Sequence, residues 1–146
     1  MMGAGVDVVA ARAAVTAAVL AEYAGRLDGV CAVSVRETCN LSDPGVSFQM
    51  WDAHPMRSVE QLARAALALG MAEVRLEPSS ASVRVVAVAE VSTAAGTALV
   101  ELWDYLYEAA IGQVAALLGV ELCPDTDPVY VTATHLLRVV ETAVSA

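Results

Sequence analysis

The chain has 146 residues, the length of one ordinary domain with a core of its own. Hydrophobic residues make up 58% of it and charged residues 17%, against roughly a quarter charged in a typical soluble domain. The formal net charge is −9, and all eight basic residues are arginine. This charge argues against a protein that binds nucleic acid, because phosphates repel so acidic a chain and few cations are present to displace counterions.

The sequence also argues against a membrane span, although its mean hydropathy is +0.60. The longest charge-free runs, Ala109–Val120 and Val91–Val100, fall short of the ~18 uncharged residues that cross a bilayer. A signal peptide is not expected either, since no basic residue precedes the first apolar stretch. We therefore expect a cytoplasmic protein.

The three cysteines, Cys31, Cys39 and Cys123, leave at least one thiol unpaired. If the segment between Cys31 and Cys39 is extended, the two residues lie about 26 Å apart, far beyond the reach of a disulfide. Free thiols in a reducing compartment are therefore expected.

One domain is expected, with an N-terminal helix in residues 1–29, a strand–strand–helix–strand unit in 30–78, a second such unit in 82–124, and a C-terminal segment in 125–146. Residues 6–27 predict the helix, because they are rich in alanine and lack proline. The charges of this helix lie within an arc of roughly 140°, so its apolar arc is wide enough for contacts on two sides.

The first unit begins with two strands, because apolar and polar residues alternate on both sides of a turn-forming segment, Asn40–Gly45. A capping box at Ser58 and Gln61 then starts a helix that Gly70 ends. The predicted bounds are 30–38 and 46–51 for the two strands, Ser58–Leu69 for the helix and 72–78 for the last strand.

The second unit is ambiguous after its first strand, Val83–Val91. Residues Ala98–Gly119 fit either one helix or a strand that pairs back on Val83–Val91 and is followed by a helix. The sequence of Phe48–Asp52 resembles that of Val100–Asp104, and a helical segment follows each, which favours the strand. The unit then ends in a short strand before Pro124.

These elements predict an α+β fold, with an antiparallel sheet of about five strands, helices packed on it, and a degenerate ββαβ repeat. Beyond the second unit, residues 129–131 extend briefly and Thr132 or Thr134 caps a last helix. A strand through 129–140 is the alternative for this segment.

The residue usage is that of a GC-rich genome, since lysine is absent and isoleucine, asparagine and phenylalanine occur once each. Together with the strand and helix pattern and the repeated Trp–Asp pair, residues 30–122 resemble small uncharacterised α+β proteins of actinobacteria and their phages. The resemblance implies a bacterial or phage origin and brings no known activity with it.

His54 is the residue that most resembles part of a catalytic site, because Asp52 precedes it by two positions and could orient its imidazole. No nucleophile motif accompanies the pair, and an aspartate before a loop commonly bonds backbone N–H groups as an Asx turn. Asp52 and His54 are therefore only weak candidates for a ligand site, and no catalytic residue is assigned. His135, on the predicted last helix, is expected to be an ordinary side chain.

No metal or cofactor site is expected, since the three cysteines and two histidines lack ligand spacing and no phosphate-binding loop is present. Glu101, Asp104 and Glu108 would share one face only if Ala98–Gly119 were a single helix, and the strand interpretation disperses them.

The aromatic residues give the more specific signal. Trp51 and Trp103 both fall opposite the inward apolar positions of their strands, Trp51 on the side of Gln49 and Trp103 on the side of Tyr105 and Tyr107. An outward indole is typical of a contact surface, unless one of the chain's own helices covers it. These five residues are the predicted interface.

We therefore expect a non-enzymatic interaction or assembly protein that associates with itself or with another protein. One alternative is an acidic inhibitor or nucleic-acid mimic that binds a basic host protein. A second alternative is a small enzyme or ligand binder that uses Asp52 and His54.

Overall fold

Six strands and four α-helices form within the part of the chain that the structure describes, where the sequence alternates or has helical spacing. The computed structural model describes residues 3–37 and 44–145. The strands are β1 (Val30–Val35), β2 (Val46–Met50), β3 (Glu73–Pro78), β4 (Ser82–Thr93), β5 (Gly96–Tyr107) and β6 (Val129–Thr132). The helices are α1 (Gly3–Glu22), α2 (Pro55–Ala68), α3 (Ala109–Leu118) and α4 (Ala133–Ser145). The predicted α+β class is confirmed.

The strands form one sheet in the order β1-β2-β5-β4-β3-β6, and this order corrects the predicted antiparallel sheet of about five strands. The described residues form six strands, and β2 and β5 run parallel at the centre of the sheet. The other adjacent pairs are antiparallel. Alternation along a strand shows which face is buried, but it carries no information about which distant strand becomes the neighbour.

One face of the sheet forms the core. Inward side chains of the two central strands are fully or almost fully buried: Val46, Phe48, Met50, Val100, Leu102 and Leu106. All four helices add buried side chains to the same cluster, including Val19 of α1, Leu62 of α2, Val114 of α3 and Leu136 of α4. The helices therefore lie together on one side of the sheet.

The hairpin interpretation of the second unit is confirmed. β4 and β5 pair antiparallel over their whole length, from Ser82 opposite Tyr107 to Thr93 opposite Gly96. The single helix through Ala98–Gly119 does not form, and α3 occupies only its second half. At the tip, Gly96 has a φ of +129°, a conformation that a residue with a Cβ rarely adopts.

The short strand predicted before Pro124 does not form, because residues 119–128 are turns and coil. Gly119 ends α3 in a left-handed conformation, and the next strand is β6, which pairs with β3 at the sheet edge. Thr132 caps α4, since its hydroxyl accepts a hydrogen bond from the His135 backbone N–H at 3.1 Å. The helix alternative for the C-terminal segment is therefore correct.

Helix α2 begins earlier than predicted. Pro55 occupies its first turn and His54 is the N-cap residue, so Ser58 lies inside the helix and does not start it. Ser58 is buried and bonds to the sheet. The capping box at Ser58 and Gln61 predicted the wrong start of the helix, because a proline is also favourable at the first helical position and Pro55 begins the helix there.

Helix α1 contacts the rest of the described chain on one side only. Val15, Thr16 and Val19 are its buried residues, whereas Val6 is 68% exposed and Leu20 is 38% exposed. The sequence predicts contacts on two sides of this helix, and the contact on its second side stays a prediction. Cys39 and the turn residues 40–43 lie outside the described residues.

Candidate functional site

The second face of the sheet carries no helix among the residues that the structure describes, because all four helices bury side chains on the other side. We call this surface the open face; it carries Gln49, Arg84, Glu101, Trp103, Tyr105 and Tyr107. The strand register places these side chains on one surface, since directly paired residues point to the same side of a sheet. None of the helices within the described residues covers the predicted interface.

Aromatic rings form a row along β5 on the open face. The ring centroids of Trp103 and Tyr105 lie 5.4 Å apart in an edge-to-face arrangement, and those of Tyr105 and Tyr107 lie 6.1 Å apart. Tyr105 is 39% exposed and Tyr107 is 57% exposed, while Trp103 is half-buried and lies opposite Val86 of β4. We call these three rings the aromatic row.

A chain of ion pairs crosses the open face beside the aromatic row. Arg84 contacts Glu101 at 2.9 Å and Glu77 at 3.2 Å, and Arg75 contacts Glu77 at 2.9 Å. Ser47 donates a hydrogen bond to the second oxygen of Glu101 at 3.0 Å. Two arginines and two glutamates therefore neutralise each other.

Arg84 is the centre of this ion-pair chain. Its guanidinium carbon lies 5.7 Å from the centre of the Trp103 ring, within the range of a cation–π contact. Burial alone would lower the pKa of Arg84, but hydrogen bonds and charge from Glu101 and then from Glu77 outweigh that effect and raise the pKa. Arg84 thus stays charged and keeps the buried Glu101 compensated.

A notch interrupts the sheet next to the aromatic row, because β2 ends at Met50 while β5 continues to Tyr107. The last paired residues of β2 and β5 are Gln49 and Trp103, so no strand of the described residues pairs with the end of β5 on that side. A cavity of about 370 Å³ fills the notch. Its walls include Trp51, Asp52, Ser58, Asp104, Tyr105 and Tyr107.

Asp104 is a buried wall of the notch. It is 6% exposed, and its carboxylate accepts hydrogen bonds from the Ser58 hydroxyl and, at 2.8 Å, from the Tyr105 backbone N–H. No salt bridge reaches it among the described residues. Burial raises the pKa of Asp104 above its ordinary value of 3.8, although the hydrogen bonds from Ser58 and Tyr105 act to lower it.

Asp52 and His54 form the start of α2. One carboxylate oxygen of Asp52 accepts a hydrogen bond from the His54 backbone N–H at 2.9 Å, which is the contact of an Asx turn. The His54 Nδ1 accepts from the Arg57 backbone N–H at 3.4 Å. Asp52 therefore bonds the backbone of His54 and does not orient its imidazole.

The remaining polar candidates are dispersed. Glu101 lies on the open face, Asp104 on the core face, and Glu108 at the junction between β5 and α3. Within residues 3–37 and 44–145, no three side chains of the metal-ligating types converge on one point. Cys31 and Cys123, the cysteines of the described residues, are exposed thiols.

Four residues of the predicted interface meet Asp52, a weak ligand-site candidate, at the notch. Gln49, Trp51, Asp52, Tyr105 and Tyr107 all line its cavity, whereas His54 does not.

Trp103 instead lines a neighbouring groove of about 470 Å³ on the open face, together with Gln49 and Tyr105. Ser58 and Arg84 were not predicted as site residues, and Asp104 was considered only as part of an acidic cluster with Glu101 and Glu108 on a single helix. Asp104 could have been found from its position, since it is an acidic residue at an inward, otherwise apolar position of the strand Val100–Leu106.

None of the described helices is long and apolar enough to cross a membrane. No protein-family model matches the chain, and no curated protein or solved structure matches it either. The physical properties of the site therefore carry the functional argument.

Proposed function

We propose that the protein is a non-enzymatic interaction protein that associates with a second copy of itself through the open face. The observation that carries the proposal is the exposed aromatic row on a sheet face without a helix. Tyr130 of β6 pairs with Arg75 and so also lies on the open face. Tyr105, Tyr107 and Tyr130 remain 39%, 57% and 57% exposed, and Trp51 beside the face is 60% exposed. Aromatic side chains are enriched at protein interfaces, because they combine a large apolar area with a polar edge.

The charge of the open face favours a second copy as the partner. The whole chain carries −9, yet the carboxylates of Glu77 and Glu101 are already paired with Arg75 and Arg84. A face that is neutral at its centre can meet an identical face without juxtaposing unpaired like charges. An acidic inhibitor would need free carboxylates to attract a basic partner, and the central carboxylates of this face are not free.

The dimensions of the sheet also suit a dimer. Six strands at ~4.8 Å spacing and the observed strand lengths give a face on the order of 700 Å². A standard interface buries about 800 Å² on each partner, so one face of this size is close to sufficient. Two such faces related by a twofold axis would pack as a β-sandwich, with the mean strand directions about 30° apart.

Other parts of the functional expectation stay predictions. Bacterial or phage origin follows from the resemblance of residues 30–122, and a cytoplasmic location follows from the composition. The alternative of a site that uses Asp52 and His54 together is weaker than self-association, because Asp52 bonds the backbone of His54 and His54 does not line the notch.

Sedimentation velocity tests the proposal with two matched variants. Tyr105 on the open face and Leu67 on α2 are both 39% exposed, so Tyr105→Glu and Leu67→Glu introduce a charge at equal exposure. We expect the wild type and Leu67→Glu to sediment as dimers at micromolar concentration and Tyr105→Glu to sediment as a monomer. A strictly monomeric wild type, or equal behaviour of the two variants, would contradict the proposal.

A further inference from the structure

We infer that the notch beside β5 is a binding site for a small organic cation that carries an ammonium group. Three features of one cavity point to this ligand class. The cavity contains the buried carboxylate of Asp104, a second carboxylate from Asp52, and walls formed by aromatic rings. The notch shares Tyr105 and Tyr107 with the open face, so cation binding and self-association are measured by separate readouts, ligand titration and sedimentation.

The buried carboxylate comes first. Buried charges in proteins are normally paired with an opposite charge, because water that would solvate them is excluded. Asp104 is 6% exposed, and its two partners among the described residues, Ser58 and the Tyr105 backbone N–H, are neutral. A carboxylate has about four acceptor positions, so two remain for a ligand that brings the missing positive charge.

The walls of the cavity favour an organic ammonium group over a metal ion or an anion. Trp51, Tyr105 and Tyr107 line the same cavity, and the faces of such rings attract ammonium groups through their quadrupole. A metal ion is disfavoured, because only two carboxylates, those of Asp52 and Asp104, line the cavity and no three metal-ligating side chains converge among the described residues. An anion is disfavoured by the same two carboxylates.

No salt bridge among the described residues supplies this cation to Asp52 or Asp104. The chain has no lysine, and Arg84 of the open face is already held by Glu77 and Glu101. The cavity of about 370 Å³ lies at the small end of the range for ligand sites, which suits a compact amine rather than a large molecule. The ammonium group could belong to a free amine or to a lysine side chain of another protein.

A titration of Trp103→Phe with choline tests the inference, because Trp51 is then the only indole in the chain. The matched control ligand is 3,3-dimethylbutan-1-ol, which has the shape of choline without its charge. We expect choline to shift the Trp51 emission saturably and the neutral alcohol to have at least tenfold weaker effect. An equal response to both ligands, or no response to choline at millimolar concentration, would overturn the inference.

The contribution of Asp104 is tested by Asp104→Asn, with Asp125→Asn in the exposed loop before β6 as a control that removes the same charge. We expect Asp104→Asn to weaken choline binding at least tenfold and Asp125→Asn to leave it within twofold. Circular dichroism and thermal unfolding establish that both variants fold. Equal affinities of the two variants would refute the role of the buried carboxylate.

Trp51→Leu provides a second variant that does not touch the core. Loss of one cation–π contact weakens binding by about threefold to thirtyfold, measured from the line shifts of the choline methyl protons. Unchanged affinity would contradict the aromatic contribution. Repeating the titration with N-acetyl-lysine methylamide distinguishes the source of the cation: tighter binding than choline indicates a lysine side chain, and weaker binding indicates a free amine.

Discussion

Two buried acids three positions apart show how much a single residue's surroundings matter. Glu101 and Asp104 are both 6% exposed, but they point to opposite faces of β5. Glu101 has Arg84 as a counterion, whereas Asp104 has only neutral hydrogen-bond donors among the described residues. The charge of Glu101 is therefore neutralised by an arginine, whereas the carboxylate of Asp104 has no positive partner among the described residues.

The raised pKa of Asp104 predicts a specific pH dependence of stability. Below the ordinary pKa of 3.8, the Asp104 carboxyl holds its proton in both the folded and the unfolded state. Its titration therefore does not change the free energy of unfolding there. As the pH rises through 3.8, the unfolded state releases the proton first, and stability falls until the raised folded pKa is passed. We expect Asp104→Asn to gain stability relative to the wild type between pH 3 and pH 7 in urea unfolding. A constant difference across this range would contradict the raised pKa.

Glu108 is the one described residue other than glycine with a positive φ, +50°, at the junction between β5 and α3. Such a conformation costs about 1–3 kcal/mol in a residue with a Cβ, and glycine relieves it at an entropic cost of about 0.5–1 kcal/mol. We expect Glu108→Gly to raise the free energy of unfolding by about 1 kcal/mol. Glu121→Gly in the exposed coil is the control, and it should lower stability or leave it unchanged.

At the scale of elements, the ion-pair chain joins β3, β4 and β5 across the open face. Arg84→Met would leave the buried Glu101 without its counterion, at a cost of about 2–3 kcal/mol because Arg84 is partly exposed. Replacing both residues, as Arg84→Met with Glu101→Leu, should recover most of that loss. Chemical unfolding of the two variants measures the difference.

Arg64→Met is the matched control for that cycle. Arg64 pairs with Glu60 and Glu141, but its side chain is 50% exposed, so its removal should cost under about 1 kcal/mol. A cost equal to that of Arg84→Met would show that burial of Glu101 does not set the energy.

The predicted elements that were correct depend on local patterns. The β4–β5 hairpin was favoured by the resemblance of Phe48–Asp52 to Val100–Asp104, since periodicity alone also fitted one helix. The inward positions Val74 and Leu76 of β3 follow from a period of two. The parallel pairing of β2 with β5 could not be predicted in this way, since α2, β3 and β4 lie between the two strands in the sequence. The notch forms because β2 pairs with β5 and ends before it, so its cavity could not be predicted from the sequence either.

The aromatic residues of the site were predictable because their outward position depends only on strand parity. Asp104 was not recognised, since its role depends on the approach of Ser58 from α2, a contact over 46 positions. The earlier start of α2, at Pro55, is what places Ser58 inside the helix and within reach of the sheet. One local error at a helix end therefore concealed one residue of the candidate site.

For the whole molecule, the net charge of −9 predicts how self-association responds to salt. Two copies repel each other at long range, and salt shortens the range of that repulsion from roughly 30 Å at 0.01 M to roughly 3 Å at 1 M. Because the centre of the open face is neutral, we expect the dimer to become several-fold tighter as sodium chloride is raised. Weaker association at high salt would instead indicate attraction between opposite charges, as expected for a basic partner.

The emission of the two tryptophans during serial dilution tests the use of the open face most directly. Trp51 and Trp103 are the only indoles, and both lie on or beside this face. Burial of the open face in a dimer predicts that their emission moves to longer wavelength on dilution, over the concentrations at which sedimentation shows the dimer dissociating. Emission that stays constant while a dimer dissociates, or a monomer at every concentration, would contradict self-association through the open face.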